Sequence, residues 1–535
     1  MNEEIEEYYE ELYRLYIDEN QPLERRYRQL RESLERVVRE KIQGNSLQTT
    51  DLAARINYVA TQYGLDLKEQ NQLHTFRLTS NDILNHRKSP VKEEFLCDLR
   101  AVAYAYRKMF AQDIPLKLFS VLPKQEIASS GKKEKMEYIR RIRVCFDYAD
   151  DTYLYVHPVD VTADEPIRVV YNKPGINHEF EETIKELWRY AQLNLLDVSV
   201  DRDGIYTPSF IVLEPDYLID ISSLAECYKD YGSHPANYFL SRLVPIDNAR
   251  PLLLGNIANL FLDEWIHAGE EEPDYIDCMK KAFRQYPIEL AACAELRDPS
   301  KEKEFAKDCR MHFEHIRDVV QHTFLEPGYN LDKKEAVLEP SYICEALGIQ
   351  GRLDYMQRDM SSFIEMKSGK ADEFSMQGKV EPKENNKVQM LLYMAVLEYS
   401  MGQDRRRMHP YLLYTRYPLL YPARASWAQV RRVINLRNRI VAAEYGVQFH
   451  NHPDFTRNLL AQINPEVVNE RKLSGRFWEQ YLKPSISRFR EKLSALEPLE
   501  QAYFYTLYNF ITKELYTSKS GDVDYEGRAG ASALW

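Results

Sequence analysis

Cysteine is sparse in this chain and poorly spaced for metal chemistry. The 535 residues hold seven cysteines, at positions 97, 145, 227, 278, 293, 309 and 344, and the closest two lie 15 residues apart. No CxxC pair exists, which argues against a zinc ribbon or a short-spaced iron–sulfur motif. An odd, scattered set fits a reducing cytoplasm. Long hydrophobic runs are missing too: no stretch of about 18 apolar residues is present, so no membrane span is expected. The opening residues, MNEEIEEYYEELYRLY, are acidic and amphipathic, unlike a secretory signal. No GxxxxGK[ST] phosphate loop occurs; SSGKKEK and KSGKADE lack its first glycine and its hydroxyl residue, so no ATP motor is expected within the chain. Positive charge is in deficit, with 71 Lys+Arg against 83 Asp+Glu and a net charge of −12. That argues against a blanket nucleic-acid coat and leaves room for a local basic groove.

What is present divides the chain by composition. Hydrophobic residues make up 44% and aromatics 12%, enough for true cores, so wholesale disorder is excluded. The length suggests three or four domains of about 150 residues each. Residues 1–115 read as a helical region. Ile5, Tyr8, Leu12, Leu15 and Tyr16, then Leu30, Leu34 and Val38, recur at helical steps, and a break at ENQP suggests an antiparallel hairpin with a solvated face of Arg and Glu. Residues 116–217 read as a small β-barrel-like domain, OB-like in character. IRRIRVCFDY, TYLYVHPV, PIRVVYN and SFIVLEP supply strands, ADD makes a turn, and EETIKELWRYAQL is expected to be a helix. The arginines of the first strand are expected to face solvent. Residues 218–500 mix helix and strand. Residues 501–535 form an amphipathic helix and a glycine-containing tail ending on Trp535.

Chemistry concentrates in GIQGRLDYMQRDMSSFIEMKSGK, which reads as two strands joined by a polar QRDMSS turn. Alternate residues of a strand share a face, so Glu365 and Lys367 point one way and Met366 the other. Pairing of the strands would bring Asp354 beside them. Two carboxylates meeting a lysine is what metal-assisted phosphodiester hydrolysis requires. Oxygen ligands hold Mg²⁺ or Mn²⁺, the metal acidifies water and offsets charge on phosphorus, and the lysine positions that water or stabilises the same charge. Nearby, NNKVQMLLYMAVLEYSMG is a helix with Gln389 and Tyr393 one turn apart, and LEPSYICEALGIQG carries Glu339.

The order GxxD, (E/D)xK, QxxxY, present as GRLDYM, FIEMKSGK and NNKVQMLLYMAVL, resembles the RecB-type nucleases of the PD-(D/E)xK superfamily. The likeness covers roughly residues 216–445. DYLIDISSLAECYKDYGSHPANYFLSRL is similar to the entrance of that module, and the preceding barrel looks closest to the flap-processing nuclease–helicases. The resemblance implies an α/β (α+β overall) fold, with a restriction-endonuclease-like mixed sheet flanked by helices after a helical N-terminal region and a small β-barrel. It implies a metal-dependent DNA nuclease for single-stranded or flapped DNA in repair, replication or recombination. It assigns metal binding to Asp354, Glu365 and the Met366 carbonyl, catalysis to Lys367 with Asp354 and Glu365, support of the site and the DNA strand to Gln389 and Tyr393, and the opening of the GxxD motif to Gly351.

Two departures stand out. The family places a metal-binding histidine four residues after a glycine in the first helix, and here Gly255 is followed at that spacing by Asn259, a weaker oxygen ligand. His267 reads as a surface histidine. Many relatives also carry a four-cysteine iron–sulfur cluster; Cys227 matches its first position, but no cysteine follows Cys344, so no Fe–S cluster is expected.

Between Met401 and Ile440 stand nine arginines (405, 406, 407, 416, 424, 431, 432, 437, 439) against the single acid Asp404. With the tyrosines of HPYLLYTRYPLLYP they read as a path for single-stranded DNA, with Arg405, Arg406, Arg416, Arg431 and Arg432 as its contacts. Relatives with this domain order continue into a superfamily 1 helicase. A helicase module, in a longer form of the same chain or as a partner, is therefore expected, and residues 501–535 read as the connector towards it. The competing readings are a DNA-binding scaffold with a decayed site, favoured by Asn259, and a phage-defence nuclease working with a partner ATPase.

Overall fold

The structure, a computed structural model, describes residues 2–18, 20–42, 52–123, 138–159, 165–201, 203–243, 249–371, 381–423, 426–450 and 452–520. It is a mixed α/β chain of two units, one of residues 1–217, 441–455 and 505–535, the other of residues 218–440 and 456–504. No helix among the described residues is long and apolar enough to cross a membrane.

The first unit opens with helices α1 (Asn2–Ile17), α2 (Leu23–Ile42), α3 (Leu52–Tyr63), α4 (Leu67–Leu84) and α5 (Lys92–Phe110). Their apolar steps converge on one core that holds Leu12, Tyr27, Leu30, Leu34, Phe76, Phe95 and Tyr106. Asp66 and Glu69 start α4 as a reciprocal capping box, which satisfies backbone N–H groups that the first turn leaves open. The charged runs of α2 do not lie wholly in solvent as expected. Arg26 donates to the Leu15 carbonyl at 2.6 Å, and Arg31 pairs with Glu35 at 2.8 Å, all three side chains being buried. A charged residue enters a helical core when a partner inside replaces its water, and composition cannot show that partner.

A helical turn, α6 (Leu116–Phe119), occupies the expected start of the barrel, and among the described residues the first strand starts at Tyr138. The strands are β1 (Tyr138–Ala149), β2 (Tyr153–Pro158), β3 (Ile167–Val170), β4 (Gln192–Val200), β5 (Tyr206–Thr207) and β6 (Phe210–Leu213). The order β1-β2-β3-β5-β4 closes through β1–β4 pairing into a five-strand circuit, with β6 added to β4. Only β3–β5 is parallel. Asp150 shapes the β1–β2 turn by accepting from the backbone of Thr152 and Tyr153 at 2.8 and 2.7 Å. Arg140 and Arg141 are exposed as expected, but Arg143 is buried and forks onto Asp216 at 2.7 and 2.9 Å.

The helix expected over EETIKELWRYAQL shrinks to α7 (Glu181–Lys185). Tyr190 adopts a left-handed backbone with φ of 72°, and Gln192 already pairs with Cys145 of β1. Barrel closure claims these residues, and a strand ladder overrides their helical propensity.

The second unit begins with β7 (Ile219–Asp220), α8 (Ile221–Ala225) and α9 (Ala236–Leu243), followed by α10 (Arg250–His267), α11 (Tyr275–Gln285), α12 (Pro287–Ala292) and α13 (Pro299–Gln321). Then come β8 (Ala336–Leu338), β9 (Ser341–Cys344), β10 (Ile349–Arg352), β11 (Tyr355–Gln357), β12 (Ser362–Lys367), α14 (Glu384–Met401), β13 (His409–Tyr414) and β14 (Leu419–Pro422). A small sheet runs β7-β10-β9 and a larger one β14-β13-β12-β11-β8. β12 and β13 are parallel, with α14 as their crossover. Leu253, Ile257 and Phe261 of α10 and Phe313 and Ile316 of α13 share a core with Ile364, Met366 and Leu413 of the large sheet. Helices α15 (Trp427–His450), α16 (Pro453–Ala461), α17 (Pro465–Val468), α18 (Lys483–Ser494) and α19 (Pro498–Ser520) complete the chain, and the tail from 521 to Trp535 lies outside the described residues.

The expected two-strand pair is really three strands. β10 belongs to the small sheet, and the chain crosses at Leu353–Asp354 into the large sheet, where Tyr355 pairs with Ile364. The turn before β10 depends on Gly348, which has φ of 65° and lies against the wholly buried Arg437; an added Cβ would come within 2.6 Å of the guanidinium carbon. Arg437 Nε in turn donates to the Gly348 carbonyl at 3.1 Å. Gly348→Ala combines a disfavoured backbone with overpacking and is expected to cost about 1–3 kcal/mol in urea unfolding. Wild-type stability in that variant would show that the guanidinium yields freely.

Candidate active site

β12 ends in Glu365-Met366-Lys367. Met366 packs among α10 and α13, which leaves Glu365 and Lys367 on the opposite face, as strand alternation requires. The crossover α14 supplies Gln389 to that face. Lys367 Nζ donates to Glu365 Oε1 and to Gln389 Oε1, both at 2.9 Å, while Gln389 Nε2 donates to Glu365 Oε1 at 2.6 Å. The three side chains therefore fix one another.

Tyr393, one turn further on, donates to the Arg352 carbonyl at 2.6 Å. Gly351 allows this close approach: an added Cβ would stand 3.0 Å from the Tyr393 hydroxyl and 3.1 Å from Ile221, so one of them would have to give by a few tenths of an ångström. Gln389 and Tyr393 are both buried and spend their polar groups on the site itself. Of the two roles expected of them, support of the site and of the DNA strand, these hydrogen bonds supply the first.

Asp354 sits where the chain changes sheets. Its Oδ2 accepts from Met366 N at 2.6 Å, and its carbonyl accepts from Glu339 N at 3.1 Å. Burial raises its pKa against the opposing pull of the Met366 N–H and Lys367. Glu365 is raised to about 8, by burial first and by the Asp354 charge second, with Lys367 working the other way. For Lys367, burial disfavours the ammonium, but the surrounding carboxylates, Glu365 first and Asp354 after it, together outweigh it and hold the pKa above its ordinary value. Glu365 Oε2 is buried with no hydrogen-bond partner.

Helix α10 lies alongside. An added Cβ on Gly255 would meet Ser368 Oγ at 3.4 Å, which places that turn against the end of the Glu365–Lys367 segment. Asn259 and Asp263 follow at four-residue steps on the same helix face. The Asp263 carboxyl is raised to about 6 by burial, then by Glu339, with Asp354 also contributing. Asn259, half-buried, thus stands on a face that meets the site at the turns on either side of it. His267, one turn beyond Asp263, is exposed, as expected. Asp263 was not singled out from sequence; its four-residue step from Asn259 is the signal that could have found it.

No three His, Cys, Asp or Glu side chains among the described residues are placed to hold a metal ion on their own. The expected set asks for less: two carboxylates, Asp354 and Glu365, with the Met366 carbonyl and the Asn259 amide. Mg²⁺ keeps several waters and needs only one or two carboxylates. A buried carboxylate oxygen without a partner is costly, and a bound cation would satisfy it. The residues present fit a hydrated divalent ion.

The arginine-rich stretch does not lie in one strip. Arg405 stacks 4.4 Å above Trp427 and pairs with Glu398 at 3.2 Å, and Arg406 pairs with Asp404 at 2.9 Å. Arg437 is wholly buried, Arg431 half-buried and Arg432 exposed, because successive turns of α15 face different ways. Arg416 follows Thr415, whose backbone donates to the Lys367 carbonyl at 2.9 Å, so its main chain adjoins the end of β12. Arg424 lies outside the described residues. Tyr411 and Tyr414, expected as stacking platforms, are buried in the sheet. Cys227 is a buried thiol pushed up to about 12 by burial, and it donates to the Ser223 carbonyl at 3.3 Å.

A raised Glu365 pKa has a defined consequence for stability. The native state keeps a proton that the unfolded chain, titrating near 4.5, has already lost. Without metal, the contribution of Glu365 to stability should therefore be fullest below about pH 4.5 and be lost as pH rises through about 8. In EDTA, the wild-type Tm is expected to drop from pH 6 to pH 8, and Glu365→Gln should flatten that drop; an equal slope in both proteins would locate the titration elsewhere. No protein-family model matches the chain, and no curated protein does so either.

Proposed function

We propose that this chain is a metal-dependent deoxyribonuclease with a restriction-endonuclease-like core, hydrolysing phosphodiester bonds in single-stranded or flapped DNA. The observation that carries the reading is the joint placement of Asp354, Glu365, Lys367 and Gln389, which leaves Glu365 Oε2 buried and unpartnered. An ion pair on a surface hairpin would leave its carboxylate in solvent, whereas Glu365 is 3% exposed and locked to Lys367 and Gln389.

The residues divide the work. Asp354, Glu365, the Met366 carbonyl and Asn259 would hold Mg²⁺ or Mn²⁺. Bound there, the ion supplies Lewis acidity, acidifying water and offsetting charge on the phosphoryl group. Lys367 keeps its ammonium charged beside Glu365 and presents it where negative charge builds in the transition state. Gln389 fixes both side chains, so little reorganisation is needed when the substrate arrives. Arg416 and Arg432 make no ion pair among the described residues and remain the contacts for a DNA strand from the arginine-rich segment. A helicase module, in a longer form of this chain or as a partner, belongs to the same proposal.

A second reading, a DNA-binding module with a decayed site, rests on Asn259. The two separate in one assay of end-labelled single-stranded DNA with Mg²⁺ or Mn²⁺. Cleavage that EDTA abolishes and Lys367→Ala lowers by at least about 10²-fold is expected, the scale of removing one transition-state donor. Salt-sensitive binding with no cleavage in either metal would decide for the second reading.

A further inference from the structure

We infer that Arg352 is the residue that grips the DNA phosphate next to the scissile bond, and that Glu339 holds it in reserve in the free protein. This rests on the nuclease reading and adds a substrate contact to it. Of the cations at the site, Lys367 is committed: its side chain is 28% exposed and donates to both Glu365 and Gln389. Arg352 is different. Its side chain is 60% exposed, and its one hydrogen bond among the described residues runs from Nη1 to Glu339 Oε2 at 3.2 Å. Most of a planar, five-donor fork therefore stays open to solvent, in the shape that matches phosphate oxygens.

The main chain of Arg352 is rigid where its side chain is not. Its carbonyl takes the Tyr393 hydroxyl, and its strand pairs with Ser341 of β9. Asp354 follows two residues later, so the guanidinium is tethered at the rim of the carboxylate site. Glu339, its partner, has a left-handed backbone with φ of 48° and donates its N–H to the Asp354 carbonyl. That strained turn aims a carboxylate at Arg352 from the rim. Asp263 lies on the same side, within electrostatic reach of Glu339. The phenol of Tyr286, carried in from the helical insertion, feels Glu339, Asp263 and Arg352 together. The rim thus gathers acids around one open guanidinium. An arriving phosphodiester offers Arg352 a second anion without breaking its backbone anchors. An exposed ion pair of this kind is worth little and exchanges readily.

The test uses the full chain in a Lys367→Ala background, which blocks cleavage, and measures the affinity for labelled oligodeoxythymidine across a KCl series. Arg352→Ala is expected to weaken binding roughly five- to tenfold and to lower the salt slope by about 0.7, the share of one phosphate on a single strand. Glu339→Gln should tighten binding, and that gain should vanish when Arg352→Ala is added. In the active chain, Arg352→Ala should raise KM while kcat stays within about twofold, as expected for a contact made equally in ground and transition states. An unchanged salt slope, or an equal gain from Glu339→Gln with and without Arg352, would overturn the inference. If the parent chain neither binds nor cleaves single-stranded DNA, it is the nuclease reading that falls.

Discussion

The site hangs on one hydrogen bond. At Asp354 the chain leaves the small sheet and enters the large one, and the Asp354 carboxylate accepts the N–H of Met366, the residue between the second carboxylate and the lysine. That bond joins two sheets that share no strand pairing. It orients Asp354 towards Glu365, and it holds the end of β12 with Glu365 and Lys367 facing away from the Met366 core. Gly351 and Gly348 serve the same crossing from the other side: one lets Tyr393 approach the backbone, the other lets Arg437 pack beneath the turn.

How much of this could be read from residue order differs by element. Glu365, Met366 and Lys367 were legible because strand alternation is local and strict, and Gln389 because its helix is uninterrupted. The division of GIQGRLDYMQ into two strands was not legible. Its residues suit a strand throughout, and only the separate pairing of Gln350 with Ile343 and of Tyr355 with Ile364 cuts it in two. Gln389 and Tyr393 were placed on the right helix and read as supports of the site, but their burial was not legible, since a sequence does not say which side of a helix a sheet covers. The arginines misled for the same reason: a count treats nine charges as one surface, whereas Arg437 lies in the core and Arg405 is spent on Trp427 and Glu398.

The barrel shows a third kind of limit. Local propensity favoured a helix through Leu187 and Tyr190, yet closing the circuit needs a strand beside β1, and the long β1–β4 ladder supplies more cross-strand contact than a short exposed helix could. Buried Arg26, Arg31 and Glu35 in α2 make the same point for charge. Where a fixed partner is available inside, a residue type that usually marks the surface becomes part of the core.

The small sheet also has a history in time. β7 pairs in parallel with β10, whose residues stand 130 positions further along the chain, and most of the stretch between them is the helical insertion α10–α13. At about 5–20 residues per second of synthesis, β7 leaves the ribosome some seconds to tens of seconds before its partner strand exists. The barrel ahead of it can close in that interval, because β1 to β6 are already made. The carboxylate centre cannot, because Asp354, Glu365 and Gln389 are synthesised only after it, and β7 waits meanwhile as an unpaired strand.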